Sequence, residues 1–294
     1  MTESITIESS GTQHRTISQE MATAYAELFN TIKRHYPDKK LSRFFPLQGE
    51  YYNEYSQLST LTPCDEDTAL SNEELAAKYM EPAVRLMIVG RSVNGWTELS
   101  EISDQEFVQA AANTMLQPGF SWLRDDGKGT ETYIDDHENE KRYNIYTSPF
   151  FRCTKQIINQ LKPISAIHDR WFEHIVWNNL YTVAPPQRGN AVGKLQNIQV
   201  DLSKQLLLQQ IKHFAPTHIL FITDWDWWFD RFTDIFPDVK RIGNSVTDNV
   251  VGCGTYGNIK IAVSVRPDRT RPNRPNEEKF VEDVVNFFKS NKSQ

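Results

Sequence analysis

Arg85-Leu-Met-Ile-Val-Gly90 decides the fold. It is short, apolar at successive positions and closed by a glycine, so it reads as a strand buried on both faces. Three further segments read the same way: Ile175 to Val183, His218-Ile-Leu-Phe-Ile-Thr223 and Lys260-Ile-Ala-Val-Ser-Val265. Helical spacing lies between and after them, at 152–162, 165–174, Asp201 to Phe214, Asp224 to Phe236 and Glu277 to Lys289. Capping boxes at Ser71/Glu74 and Ser103/Glu106 open two more helices upstream. Strands alternating with helices predict an α/β domain of three layers, α/β/α, around a central four-stranded parallel sheet. Met21, Tyr25, Leu28, Phe29 and Ile32 recur at helical spacing and head an N-terminal helical extension over 18–80. Residues 1–17 are Ser/Thr-rich and predict a mobile tail. Residues 124–144 are charged and aperiodic and predict an exposed insertion in an otherwise single domain over 18–294.

The chain has 294 residues, 39% hydrophobic and 24% charged, which supplies a sizeable core and excludes a disordered chain. Lys plus Arg number 32 and Asp plus Glu 38, a net charge of −6. That excludes coating nucleic acid by bulk charge and leaves only a local basic face. The three cysteines, Cys64, Cys153 and Cys253, are far apart and form no CxxC pair, which predicts a reducing, cytoplasmic setting. The opening MTESITIESSGTQHRTIS has no apolar core of a signal peptide, and no apolar stretch approaches a membrane span, so no membrane partner is expected.

Ligands of a parallel sheet bind at the carboxyl ends of its strands. That puts Gly90–Trp96, Tyr181–Lys194, Asp224–Trp228 and Arg266–Arg274 on one rim. In Gly90-Arg-Ser-Val-Asn-Gly-Trp96 the first glycine admits either a ligand close to the backbone or a plain Asn-Gly reversal. Gly189-Asn-Ala-Val-Gly193-Lys194 is one residue short of a phosphate loop and has Leu195 where Ser or Thr is required. It reads as a loop from which Lys194 touches a phosphate. Arg266, Arg269, Arg271 and Arg274 oppose a single Asp268, a local charge of +3 (4 − 1), in a proline-rich stretch that cannot be helical. Arginines grouped at a strand end suit phosphate recognition. The histidines show no HxH or HExxH spacing, Asp135, Asp136, His137, Glu138 and Glu140 read as a solvated run, and no GxSxG elbow occurs, so no metal and no nucleophile is expected. Trp225, Trp227 and Trp228 read as core or lid rather than a base-stacking platform.

Taken in order, the rim segments resemble the uracil-DNA glycosylase superfamily. Leu86-Met-Ile-Val-Gly90-Arg-Ser-Val-Asn94 is similar to its opening strand-and-glycine motif, Gly119-Phe120-Ser121 to its aromatic–serine pair, and Val176-Trp-Asn178-Asn-Leu-Tyr-Thr-Val183 to its asparagine-ending strand. Ile219-Leu-Phe-Ile222 and Val265-Arg266-Pro267-Asp268 stand where the family has its fourth strand and its His-Pro-Ser element. The resemblance covers roughly residues 80 to 290 and implies a protein that flips a base out of DNA and reads its edge. It implies that Phe120 stacks on the base, that Asn178 bonds its edge, and that Gly90 and Arg91 frame it. Ser92 or Asn94 would position water and Arg266, in place of the family histidine, would stabilise the departing base. Ser92 stands where the family has Asp or Asn, and Arg269–Arg274 contains no bulky apolar wedge. The implied activity is hydrolysis of the N-glycosidic bond of a deaminated or damaged base, preferentially in single-stranded or mismatched DNA, with no cofactor. The alternative is a nucleobase-binding protein that lacks the chemistry.

Overall fold

The computed structural model describes residues 6–8, 14–16, 19–43, 47–48, 84–92, 97–98, 103, 131–134, 140–143, 145–161, 171, 175–185, 190–244, 248–267 and 276–290. The strands are β1 (Thr6–Glu8), β2 (His14–Thr16), β3 (Ser42–Arg43), β4 (Leu47–Gln48), β5 (Leu86–Ser92), β6 (Thr97–Glu98) and β7 (Glu131–Ile134). They continue as β8 (Glu140–Tyr143), β9 (Ile175–Tyr181), β10 (Val183–Ala184), β11 (His218–Ile222), β12 (Lys240–Arg241), β13 (Val250–Tyr256) and β14 (Ile259–Ser264). The α-helices described are α1 (Gln19–His35), α2 (Pro149–Leu161), α3 (Lys194–Phe214) and α4 (Glu277–Lys289).

The main sheet has seven strands in the order β12-β13-β14-β11-β5-β9-β4, not the four expected. The four apolar segments pair in parallel at its centre: β14 with β11, β11 with β5, and β5 with β9. The additional strands β12, β13 and β4 run antiparallel at the two sides. Leu86 to Val89 and Ile219 to Phe221 are fully enclosed, as their unbroken apolar run requires.

Side-chain alternation assigns the helices to faces. Trp177 of β9 meets Phe150 and Phe151 of α2, whereas the next residue, Asn178, bonds Gln210 of α3. Gln210 in turn donates to the hydroxyl of Tyr25 in α1. So α2 covers one face and α3 with α1 the other. α4 joins α2, because His218 rests its ring on Phe288 and Arg152 of α2 pairs with Glu277. α1 is therefore an integral outer-layer helix packed on α3, rather than an extension.

Several local expectations are corrected. Residues 6–8 and 14–16 pair as an antiparallel hairpin, as do 131–134 and 140–143 inside the charged insertion. α3 begins at Lys194, seven residues before the expected Asp201 (201 − 194), because its buried face carries Gln196, Gln199 and Ser203, which interrupt the apolar spacing. Gln199 substitutes for a strand neighbour: it donates to the Val183 carbonyl at 2.9 Å and accepts from the Val183 amide at 3.3 Å. Residues 224–236 are turns with a single 3₁₀ segment, Phe229–Phe232, not an α-helix, since Asp224 (φ 66°) and Trp227 (φ 70°) are left-handed. The capping boxes' helices and the 165–174 helix fall outside the described residues, apart from isolated Ser103 and Trp171.

Candidate functional site at the sheet's carboxyl rim

The chain leaves β5 for β9 on one side, then returns past β5 to β11 on the other, with α2 and α3 on opposite faces. The reversal makes the gap between β5 and β11 the switch point of the sheet, the place where this architecture leaves a crevice. Gly90, Arg91 and Ser92 end β5 there, and Thr223 and Asp224 follow β11.

Arg91 bridges that gap. Its Nε donates to the Thr223 carbonyl at 2.9 Å, its guanidinium pairs with Asp224, and its Cζ lies 5.0 Å from the Trp228 ring. A side chain so held braces two strand ends. It is not a free base contact, contrary to the role implied by the resemblance. Asp224, which the sequence reading passed over, donates its backbone N–H to Ser264 at 2.9 Å and so links β11's end to β14's. Ser92 is similarly engaged: its hydroxyl donates to Asn190 Oδ1 at 3.2 Å and accepts from the Ala191 amide at 3.1 Å. It pins the segment that enters α3.

The two asparagines of β9 part company. Asn178 is fully buried and its Nδ2 donates to Gln210 at 2.6 Å, facing α3 and α1. It is removed from the rim-side role implied for it. Burial also raises the Tyr25 phenol at the end of this chain of bonds well above its ordinary value. Asn179 faces α2. A Cβ on Gly90 would lie 2.5 Å from Asn179 Oδ1 and 3.6 Å from Phe150 Cε2, so the bare glycine accommodates the amide and the ring beside it. Asn179 is 6% exposed, and its Nδ2 has no hydrogen-bond partner among the described residues. Phe150 is half-buried in the first turn of α2. That turn is started by Ser148, whose Oγ accepts from the Phe151 amide at 3.5 Å, with Pro149 at the first helical position.

Arg266 is exposed, two residues past β14, on the same rim as Asp224 by the parallel register of Ile222 with Ser264. Lys194 is exposed at the start of α3, its Nζ 5.8 Å from the Tyr36 ring, which Lys39 also approaches at 5.1 Å. Asn94, Phe120, Arg269, Arg271 and Arg274 lie outside the described residues, so the expected convergence of Gly90, Ser92, Phe120, Asn178 and Arg266 is reduced to a shared rim for Gly90, Ser92 and Arg266.

Burial pushes the Cys153 thiol and the Tyr181 phenol up to about 12, so each stays protonated at neutral pH. Among the described residues no group of three His, Cys, Asp or Glu could hold a metal, and no helix is long and apolar enough to cross a membrane. An open concavity of about 620 Å³ lies on the exposed face of α1, lined by Glu27, Asn30, Lys33 and Arg34, and contributes nothing to the rim. Compared with known proteins, the chain matches no family model and no curated protein sequence.

The rim thus joins an unsatisfied amide donor, an aromatic ring and a cation. Phe150 and Asn179 were missed by the sequence reading. Ser148-Pro149 was the signal for Phe150, since a serine before a proline marks a helix start.

Proposed function

We propose that this chain recognises a nucleobase in DNA at its carboxyl rim, as a uracil-DNA glycosylase-like protein does, with Asn179 rather than Asn178 reading the base edge. The observation that carries the reading is the Asn179 Nδ2, buried and unpartnered among the described residues beside the Phe150 ring. An orphaned buried N–H costs about 1–3 kcal/mol, which a carbonyl acceptor on a bound ligand recovers. A flat ring bearing a carbonyl, such as uracil, offers that acceptor and also a face for Phe150. Arg266 supplies positive charge where a departing base would carry negative charge. The Ser92 hydroxyl, already bonded on both sides, favours a second reading in which the base is bound and not released.

The test incubates the protein with single-stranded, mismatched and matched oligonucleotides carrying uracil or other deaminated bases. It scores abasic sites by alkaline cleavage and binding by anisotropy. Abasic sites that disappear with Asn179→Asp support the enzyme. Base-dependent binding without abasic sites supports the second reading. Neither excision nor base preference would overturn both.

A further inference from the structure

We propose that Trp227 is a nucleobase-stacking residue, set at the rim to hold the base next to the one read by Asn179. This rests on the functional reading above. The three tryptophans of Asp224-Trp-Asp-Trp-Trp228 have separate fates. Trp225 packs beside Phe229 at 5.1 Å and so close to Gly252 that a Cβ there would lie 2.3 Å from its ring. Trp228 is 7% exposed beneath Arg91. Trp227 is 81% exposed.

Its backbone is also left-handed, at φ 70°, where a bulky residue is strained. Strain of this kind persists only where the surroundings enforce it. Here they do. Gln196 of α3 donates to the Trp227 carbonyl at 3.0 Å. The preceding Asp226 accepts two bonds from Arg241, at 2.8 and 2.9 Å. The following Trp228 is held under Arg91, which lies next to Gly90 and hence beside Asn179. The loop is anchored on both sides of the one residue whose ring it extends into solvent. An indole fixed in advance loses little freedom when a flat partner lands on it. Bases stack on such rings irrespective of sequence.

Charge on this loop argues that the contact is with a base and not with phosphate. Asp226 and Asp224 are each answered by an arginine, so the loop adds no net cation beside Trp227. The expected stretch after Pro267 has no bulky apolar residue, and Trp227 supplies one from the neighbouring strand end.

The experiment measures binding of a labelled single-stranded oligonucleotide, with and without one uracil, at several salt concentrations. It compares the parent with Trp227→Ala, Trp227→Phe and Trp227→Asn. Trp227→Ala and Trp227→Asn are expected to weaken binding about 5- to 100-fold, and Trp227→Phe by no more than about 3-fold, because it keeps a ring face. The salt slope stays that of the parent, since no cation is lost. Trp227→Asn, which tolerates the left-handed backbone, keeps or raises Tm while binding falls. Unchanged binding in Trp227→Ala, a salt slope that falls with affinity, or a Tm loss that parallels the binding loss would overturn the proposal. If uracil preference survives in Trp227→Ala at full affinity, stacking fails and the Asn179 reading stands. If Trp227 governs binding while uracil and Asn179→Asp make no difference, stacking stands and the base reading fails. A parent that binds neither oligonucleotide overturns both.

Discussion

Adding one methyl group at Gly90 tests the geometry on which the site rests. The Gly90→Ala Cβ would lie 2.5 Å from Asn179 Oδ1 and 3.6 Å from Phe150 Cε2. The first distance is well inside contact and the second is ordinary packing, so the asparagine must move. Both residues belong to central strands paired in register, and neither backbone can retreat without breaking the β5–β9 ladder. Overpacking of this kind costs about 1–3 kcal/mol, and the gain from replacing glycine by alanine in a strand offsets about 0.5–1 of it. In an Asn179→Ala background the clashing atom is gone and only the gain remains. The two substitutions should therefore couple by about 1–3 kcal/mol in a double-mutant cycle, with Gly90→Ala destabilising alone and neutral or stabilising in combination. Urea unfolding measures it, with comparable m values showing that the unfolded states match. Gly90→Ala should also weaken base-dependent binding by displacing the Asn179 amide. An additive cycle would refute the placement of Asn179 against Gly90, and with it the site.

Gln210→Leu removes the acceptor for Asn178 and the donor to Tyr25, and should cost about 1–3 kcal/mol for each group orphaned, read from the urea midpoint. His218 is held down to about 4 by burial and by Lys260, and Thr217 Oγ1, 2.9 Å from His218 Nδ1 and accepting from the Arg85 amide, suits a neutral ring. Its folded value lies below its ordinary 6.5, so the unfolded chain binds the extra proton and stability is lost as pH falls from about 6.5 to 4, in total about 3 kcal/mol. His218→Gln should flatten that part of the stability–pH curve, and an unchanged slope would reassign it. Asn276 caps α4 by accepting from the Lys279 amide at 2.8 Å, so Asn276→Ala should lower stability by about 1 kcal/mol and Asn276→Asp should retain it, checked by thermal unfolding.

The centre of the sheet was legible because β5, β9, β11 and β14 are apolar on both faces, a pattern that solvent-facing segments do not show. The flanks were not. β13 is broken by Gly252 and Gly254, while β4 and β12 are two residues long, too short to show a period. At the site, the resemblance singled out one of two adjacent asparagines. In a strand a shift of one residue exchanges faces, so only the packing of α2 and α3 decides between Asn178 and Asn179. The turn after β11 was read as a helix because its aromatics have helical spacing. The left-handed Asp224 and Trp227 depend on tertiary anchors, Arg91 and Gln196, that no local pattern encodes.

The brevity of β4 and β12 also bears on how the protein behaves when crowded. A sheet edge presents unpaired amides and carbonyls that can template the strand of another molecule. Here the outermost strands are two residues each, and β12 consists of the exposed Lys240 and Arg241. Like charges met across such an edge repel, and two residues offer too short a ladder to hold a second chain. The long, apolar, parallel strands, most liable to edge-to-edge association, are confined to the middle, so the native protein should stay monodisperse at concentrations where its partly unfolded forms aggregate.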